Sequence, residues 1–120
     1  MQRPDTVHTR TQLYARAIEI VEREHGTQIE IDAVAARLTT SRRQLQRAFT
    51  EIGRTTFRRH LTAVRMANAA RLLTDPSLTV GAVARRVGYS QQAQFAKSFR
   101  AHFGSLPSEY RRERIVVAVR

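Results

Sequence analysis

The sequence has no cysteine, no tryptophan, only three prolines and a single lysine, Lys97. The missing cysteines exclude disulfides, thiolate metal sites and cysteine nucleophiles together. No apolar run approaches the roughly 18 residues that a bilayer-crossing helix requires. The opening "MQRPDTVHTRTQ" lacks the apolar centre of a secretory signal. A cytoplasmic protein is the expectation. The four histidines, His8, His25, His60 and His102, are scattered without metal-ligand spacing, and neither a Ser–His–Asp constellation nor a phosphate-binding glycine loop stands out. Nothing is left from which to assemble a catalytic centre, so no enzymatic activity, metal or cofactor is expected. A chain of 120 residues holds one domain or two very small lobes, and 42% hydrophobic residues suffice for a modest core.

Acidic residues are scarce as well: ten oppose 21 basic ones, giving a net charge of +11. From Arg37 to Arg71 there are nine arginines and one acid, Glu51, whereas the stretch holding Arg16, Glu19, Glu22, Arg23 and Glu24 is nearly balanced. A merely solvated face would intersperse the two signs. A one-sided field attracts polyanions and releases their counterions on binding. The excess of arginine over lysine carries less, because the base composition of the gene can set it.

Apolar residues recur at helical spacing along nearly the whole chain. Residues 1 to about 9 contain Pro4 and no periodicity, and read as a loose leader. Leu13, Ala17, Ile20 and Val21 share one face of a helix from Arg10 to His25, which Gly26 would end. Ile31, Val34, Ala35 and Leu38 mark a short helix. Ser41 caps the next, whose buried stripe is Leu45, Ala48, Phe49 and Ile52, up to Gly53. A longer helix covers about 56–74 and stops at "DPS", 75–77. Thr79 then caps a second short helix carrying Val80, Val83, Ala84 and Val87. "GYS" turns the chain, and Ser90 caps a helix with Phe95, Phe99 and Phe103 on its inner side. Pro107 suits the first turn of a last small helix, "PSEYRRER". The one strand-like run is "IVVAV", 115–119, which reads equally as a tail packed on the core, a partner contact or a disordered end.

Two stretches nearly repeat each other. "VAARLTTSRRQLQRAF", Val34 to Phe49, returns as "VARRVGYSQQAQFAKSF", Val83 to Phe99. The offset is 49 up to Ser41 and Ser90 and 50 after them, which places one extra residue early in the second copy's longer helix. Beyond the repeats Phe57 pairs with Pro107 and His60 with Tyr110, so His60 is expected to pack as a ring. Ala35 and Ala84 fall where two helices cross closely. Each copy is a short helix, a tight turn and a longer helix, the unit that lays its second helix in the DNA major groove. One such pattern is weak evidence; two basic copies around one linking helix are much stronger.

These residues resemble the DNA-binding domain of the AraC/XylS family of bacterial transcription regulators. The matching text is "VAARLTTSRRQLQRAF" and "LTAVRMANAARLLTDPSLTVGAVARRVGYSQQAQFAKSFRAHFGSLPSEYRR", of which "VGYS…FAKSFRAHFG…P..YR" is the most specific part. The likeness covers roughly residues 10–112. It implies an all-α fold of seven helices: two homeodomain-like helix-turn-helix lobes bridged by a long central helix. The expected bounds are 10–53 for the first lobe (helix-turn-helix about 31–52), 56–74 for the linker helix and 78–112 for the second lobe (helix-turn-helix about 80–103). It also implies promoter binding as activator or repressor, contact with RNA polymerase, and a place on the bacterial nucleoid through DNA. One departure is Thr39, which stands where the second copy has Gly88. Most of the family carries a sensing or dimerising domain ahead of this one. A stand-alone regulator and the DNA-binding fragment of a larger ligand-responsive one therefore both stay open; a non-specific architectural protein is the weaker rival.

The kept words of the repeat are apolar and the changed words polar. Shared cores with different reading faces explain this. The structural core is expected at Ala35, Leu45, Phe49, Ala84, Phe95 and Phe99. The outward positions are Arg42, Arg43, Gln46 and Arg47 in the first copy and Gln91, Gln92, Ala93, Ala96 and Lys97 in the second. Arg and Lys donate to guanine's major-groove edge, Gln pairs with adenine's, and Ala admits a thymine methyl. Arg43, Gln46 and Arg47 are the leading base readers, with Gln92 and Lys97 in the second lobe. Thr79, Arg58, Arg59 and Arg65 are expected at phosphates. Arg37 and Arg86 recur at one place and either pin a phosphate or brace the short helix. A linking helix of about 18 residues spans about 27 Å, which can bring both readers about one DNA turn, roughly 34 Å, apart on one monomer.

Overall fold

The computed structural model describes residues 4–119, and the side-chain surroundings of residues 9–114. Among the described residues there are seven α-helices and no strand. They are α1 (Pro4–Glu24), α2 (Ile31–Arg37), α3 (Arg42–Glu51), α4 (Phe57–Leu73), α5 (Val80–Arg86), α6 (Gln92–Phe103) and α7 (Pro107–Val119). The chain divides into two compact units, one ending at Leu61 and the other beginning at Thr62. The division falls inside α4.

In the first unit α2 and α3 form a helix-turn-helix packed on α1. Ala17, Ile20 and Val21 of α1, Val34, Ala35 and Leu38 from the α2 segment, and Leu45, Ala48 and Phe49 of α3 are all buried. Phe49 is the hub, with ring centroids 5.2 Å from Tyr14, 5.6 Å from Phe57 and 5.9 Å from His60. The last two come from the first turn of α4, which closes this core from above. The turn between α2 and α3 puts Thr39 at φ +52°, a left-handed conformation that a β-branched residue adopts at a cost. Ser41 caps α3 by accepting the Gln44 N–H at 3.1 Å. Thr56 does the same for α4 through the Arg59 N–H, also at 3.1 Å.

The second unit repeats the plan. Met66, Ala69 and Leu73 of α4 pack with Val83, Ala84 and Val87 of the α5 segment and Phe95 and Phe99 of α6. Tyr110, from the first turn of α7, lies 5.3 Å from Phe99, in the place that His60 takes beside Phe49. The ring role expected of His60 is what it has. Gly88 takes the left-handed turn position at φ +99°, and Thr79 caps α5 through the Ala82 N–H at 3.0 Å. Arg111 of α7 donates to the carbonyl oxygens of Leu73 at 2.9 Å and Asp75 at 3.3 Å, satisfying the free end of α4.

Several expectations need correction. The first helix begins at Pro4, not Arg10; proline lacks only an N–H that the first helical turn leaves unpaired anyway. Gly26 is not a left-handed terminator. The helix stops at Glu24, whose carbonyl accepts both the Thr27 N–H and the Thr27 hydroxyl. Gly53 is likewise not left-handed; Arg54 is, at φ +55°. Gly53 serves close packing instead, because a Cβ there would sit 2.5 Å from the Tyr14 ring. Ser90 does not cap α6: the N-cap is Gln91, with no side-chain cap bond. The extra residue of the second copy therefore precedes the helix rather than lying within it. Phe103 ends α6 at the Gly104 terminus and is 38% exposed, at the rim of the core and not inside it. Finally, 115–119 continues α7 as helix despite its strand-like composition; the surroundings of its side chains lie outside the described residues.

Candidate nucleic-acid interface

A helix that buries Leu45, Ala48 and Phe49 must turn positions 42, 43, 46 and 47 away from the core, since 3.6 residues per turn separate the two sets into opposite arcs. Arg42, Arg43, Gln46 and Arg47 are all exposed on α3. Arg42 leans toward Asp32 of α2 at 3.5 Å, both side chains well exposed, an arrangement that solvent screens and polyanions can displace. On α6 the corrected register matches Gln92, Ala93, Ala96 and Lys97 to these four positions. Gln92, Ala93 and Lys97 are exposed and Ala96 half-buried. Gln91 is the N-cap, just ahead of the helix, and is exposed. The amide oxygen of Gln92 lies over Gly81 of α5, 3.0 Å from where a Cβ would stand. Glycine there gives that side chain its room.

Beside the α3 face lies a concavity of about 400 Å³, lined by Ile31, Arg42, Gln46, Thr50, Thr56, Phe57 and Arg58. It belongs wholly to the first unit. Two guanidinium groups, the Thr56 hydroxyl and a glutamine amide suit a sugar–phosphate strand running past the helix, since such contacts need donors around a groove edge. The Thr50 hydroxyl already donates its proton to the Gln46 carbonyl at 3.0 Å.

The expected phosphate contacts divide. Arg58 and Arg59 are exposed on the first turn of α4, where the helix end adds positive potential. Thr79 is exposed, but its oxygen is occupied as the α5 cap, leaving only the hydroxyl proton to offer. Arg65 is half-buried and stands over the Tyr89 ring, 5.5 Å from its centroid. Arg37 donates to Glu24 at 2.8 Å, so in the first copy this arginine braces α2 against the end of α1. The pair holds the Glu24 carboxyl below its ordinary range, chiefly through that hydrogen bond. Arg86 is exposed and keeps both readings.

One further feature went unread in the sequence. Arg10 is 8% exposed and forms an ion pair with Glu51 at the end of α3, tying that helix to α1. The pair spans 41 residues, beyond the reach of any local pattern. Among the described residues no three His, Asp or Glu side chains group as a metal site, and no helix is long and apolar enough to cross a membrane.

A family model described as a helix-turn-helix domain matches residues 34–113. The Msm operon regulatory protein of Streptococcus mutans is 28% identical over 86% of this chain, which spans only 37% of that relative's length. Among solved structures, the C-terminal domain of AraT, a response regulator from Geobacillus stearothermophilus, is 31% identical with a TM-score of 0.82, covering 85% of each chain. The DNA-binding domain of AdpA, a global transcriptional factor crystallised in complex with a target DNA, is 28% identical with a TM-score of 0.78, covering 83% of this chain and 90% of its own.

Proposed function

Because the chain belongs to the AraC/XylS family of helix-turn-helix transcription regulators, we propose that it binds duplex promoter DNA in a sequence-specific way and regulates transcription as activator or repressor. The observation that carries this reading is the exposed face of α3, where Arg42, Arg43, Gln46 and Arg47 stand opposite a fully buried Leu45 and Phe49. A rigid helix with donors on one face and the core on the other is what major-groove readout needs. The AdpA domain, similar in sequence and fold, was crystallised with its target DNA, which supports the same use here.

In this reading Arg43, Gln46 and Arg47 read bases for the first half-site, and Gln92, Ala93, Ala96 and Lys97 for the second. Gln91 and Arg42 stand at the edges of the two faces. Arg58, Arg59 and Thr79 hold phosphates. A single chain supplies both readers, so a monomer binds a site whose two halves are unrelated in sequence, without the palindrome that a symmetric dimer imposes. RNA polymerase is the proposed protein partner, and the nucleoid the proposed location.

Two substitutions test the assignment. Arg47→Ala should weaken binding by roughly 1–3 kcal/mol at the cognate site and relax preference at one base pair. Arg59→Ala should weaken all sequences alike and reduce the salt slope by about one unit. Uniform weakening by Arg47→Ala across a randomised library would remove it from the base readers. Failure of the wild-type chain to prefer any sequence by about a thousandfold over random DNA would point instead to an architectural protein.

A further inference from the structure

The turn between α5 and α6 repeats the backbone of its counterpart in the first unit, where Thr39 is left-handed and the Thr40 N–H reaches the Ala35 carbonyl at 3.0 Å, but it carries a ring. Gly88 is buried and left-handed, and the Tyr89 N–H closes the turn on the Ala84 carbonyl at 2.9 Å. The Tyr89 ring then lies between two partners. On one side is Phe95 of α6, 5.6 Å away and fully buried. On the other is the half-buried guanidinium of Arg65, reaching over from α4. Burial pulls the Arg65 guanidinium below its ordinary value while Tyr89 pulls it back up; arginine stays charged throughout. In the first unit the equivalent positions hold Thr40 and Arg16, the latter exposed on α1. That turn carries no ring.

We propose that Arg65 is a positioning residue for the second DNA-reading helix. Stacked on Tyr89, it clamps the turn that sets where α6 begins and so aims Gln92, Ala93 and Lys97 at their bases. The inference rests on the reading of α6 as a base-contacting helix, and it replaces the phosphate role that position and charge alone suggest. Three observations bear on it. A cation over an aromatic face is held by the ring's own charge distribution. The clamped ring touches the first buried residue of α6, so a shift of Tyr89 passes directly to that helix's first turn. The α6 N-cap lacks a side-chain cap bond, so the start of α6 has no side-chain latch of the kind Ser41 supplies to α3.

The experiment measures binding of the wild-type chain and the variants Arg65→Met, Arg65→Lys, Tyr89→Leu and the Met/Leu double variant to a duplex selected from a random library, across a salt series, with footprinting. Arg65→Met should weaken binding on the order of tenfold, lose protection only over the half-site assigned to α6, and leave the salt slope unchanged. Tyr89→Leu should do the same, the double variant should be no worse than either single one, and Arg65→Lys should keep most of the affinity. A salt slope reduced by about one unit with both halves weakened alike would overturn the proposal in favour of a phosphate contact. So would losses that multiply in the double variant, since uncoupled residues add in free energy. If Arg65→Met proves unfolded by circular dichroism, the amide shifts of Gln92 and Ala93 in Arg65→Gln, which keeps a polar side chain but loses the cation, decide. Displacement there supports the clamp, and unmoved signals refute it. A wild-type chain that selects no sequence would defeat the underlying reading, a result visible before any variant is made.

Discussion

Replacing Phe49 by alanine is the sharpest test of how the first unit is held together. The ring is fully buried and edge-on or tilted against Tyr14, Phe57 and His60, so its removal leaves a hole bordered by α1, α3 and the start of α4. A buried Phe→Ala change costs about 3–5 kcal/mol. A unit reaching to residue 61 has on the order of 3–9 kcal/mol to lose, at about 0.05–0.15 kcal/mol per residue. The substitution therefore takes from about a third to all of it. Footprinting should show the half-site assigned to α3 unprotected while that of α6 is retained, and Phe99→Ala should give the mirror result. Nitrogen-edited NMR offers the independent readout: in Phe49→Ala, amides from Thr62 onward should keep their dispersion while those before collapse. If both halves melt together in one transition, the two units fold as one and the reasoning from separate cores fails.

The two caps make a matched pair: Ser41→Ala should cost about 1 kcal/mol in denaturant, whereas Ser90→Ala, without a cap bond to lose, should stay within about 0.5 kcal/mol. Gly53→Ala should destabilise by about 1–3 kcal/mol through collision with the Tyr14 ring, and Tyr14→Leu should remove most of that penalty; a Gly53→Ala chain as stable as wild type would show that the ring moves freely. Burial holds the His60 imidazole below its usual range, against an opposing pull from Glu22, and its Nε2 is buried without a partner. The unfolded chain then binds the proton more readily, so the contribution of His60 is complete above about pH 6.5 and declines as pH falls below it. Denaturant midpoints should drop more between about pH 7.5 and about pH 5.5 for wild type than for His60→Phe, and equal drops would show that this ring is not the sensor.

Most of the fold was legible because its signals are local. Helical spacing marked α2 to α6, and the echo between Val34–Phe49 and Val83–Phe99 showed two cores before any packing was known. The exposed faces followed from the same arithmetic, since residues opposite Leu45 and Phe49 have nowhere else to point. What escaped depended on partners far along the chain. Arg65 reads as one more basic residue until Tyr89 is placed beneath it. Arg10 looks like a surface charge at the edge of an assumed leader, and only Glu51 makes its burial intelligible. The Ser90 cap was misassigned for a different reason: the repeat aligns by side chain at Ser41 and Ser90, whereas the backbone aligns one residue later.

The division of the chain inside α4 has a consequence for anyone recombining such proteins. Loops are the habitual crossover points for chimeras, but a cut ahead of Phe57 would strip the first reader of the two rings that cover Phe49. A cut after Leu73 would leave it trailing Met66, Ala69 and Leu73, apolar residues whose neighbours had been exchanged or discarded. The transplantable modules therefore share a helix without sharing a boundary loop. A working crossover belongs between Leu61 and Thr62, within regular helix, and the donor of a new second reader must bring the first turn of its own closing helix, as Pro107 and Tyr110 provide here. Shuffling by secondary-structure element would yield sticky, half-covered cores; shuffling by mid-helix junction would yield libraries of regulators with new operator pairs.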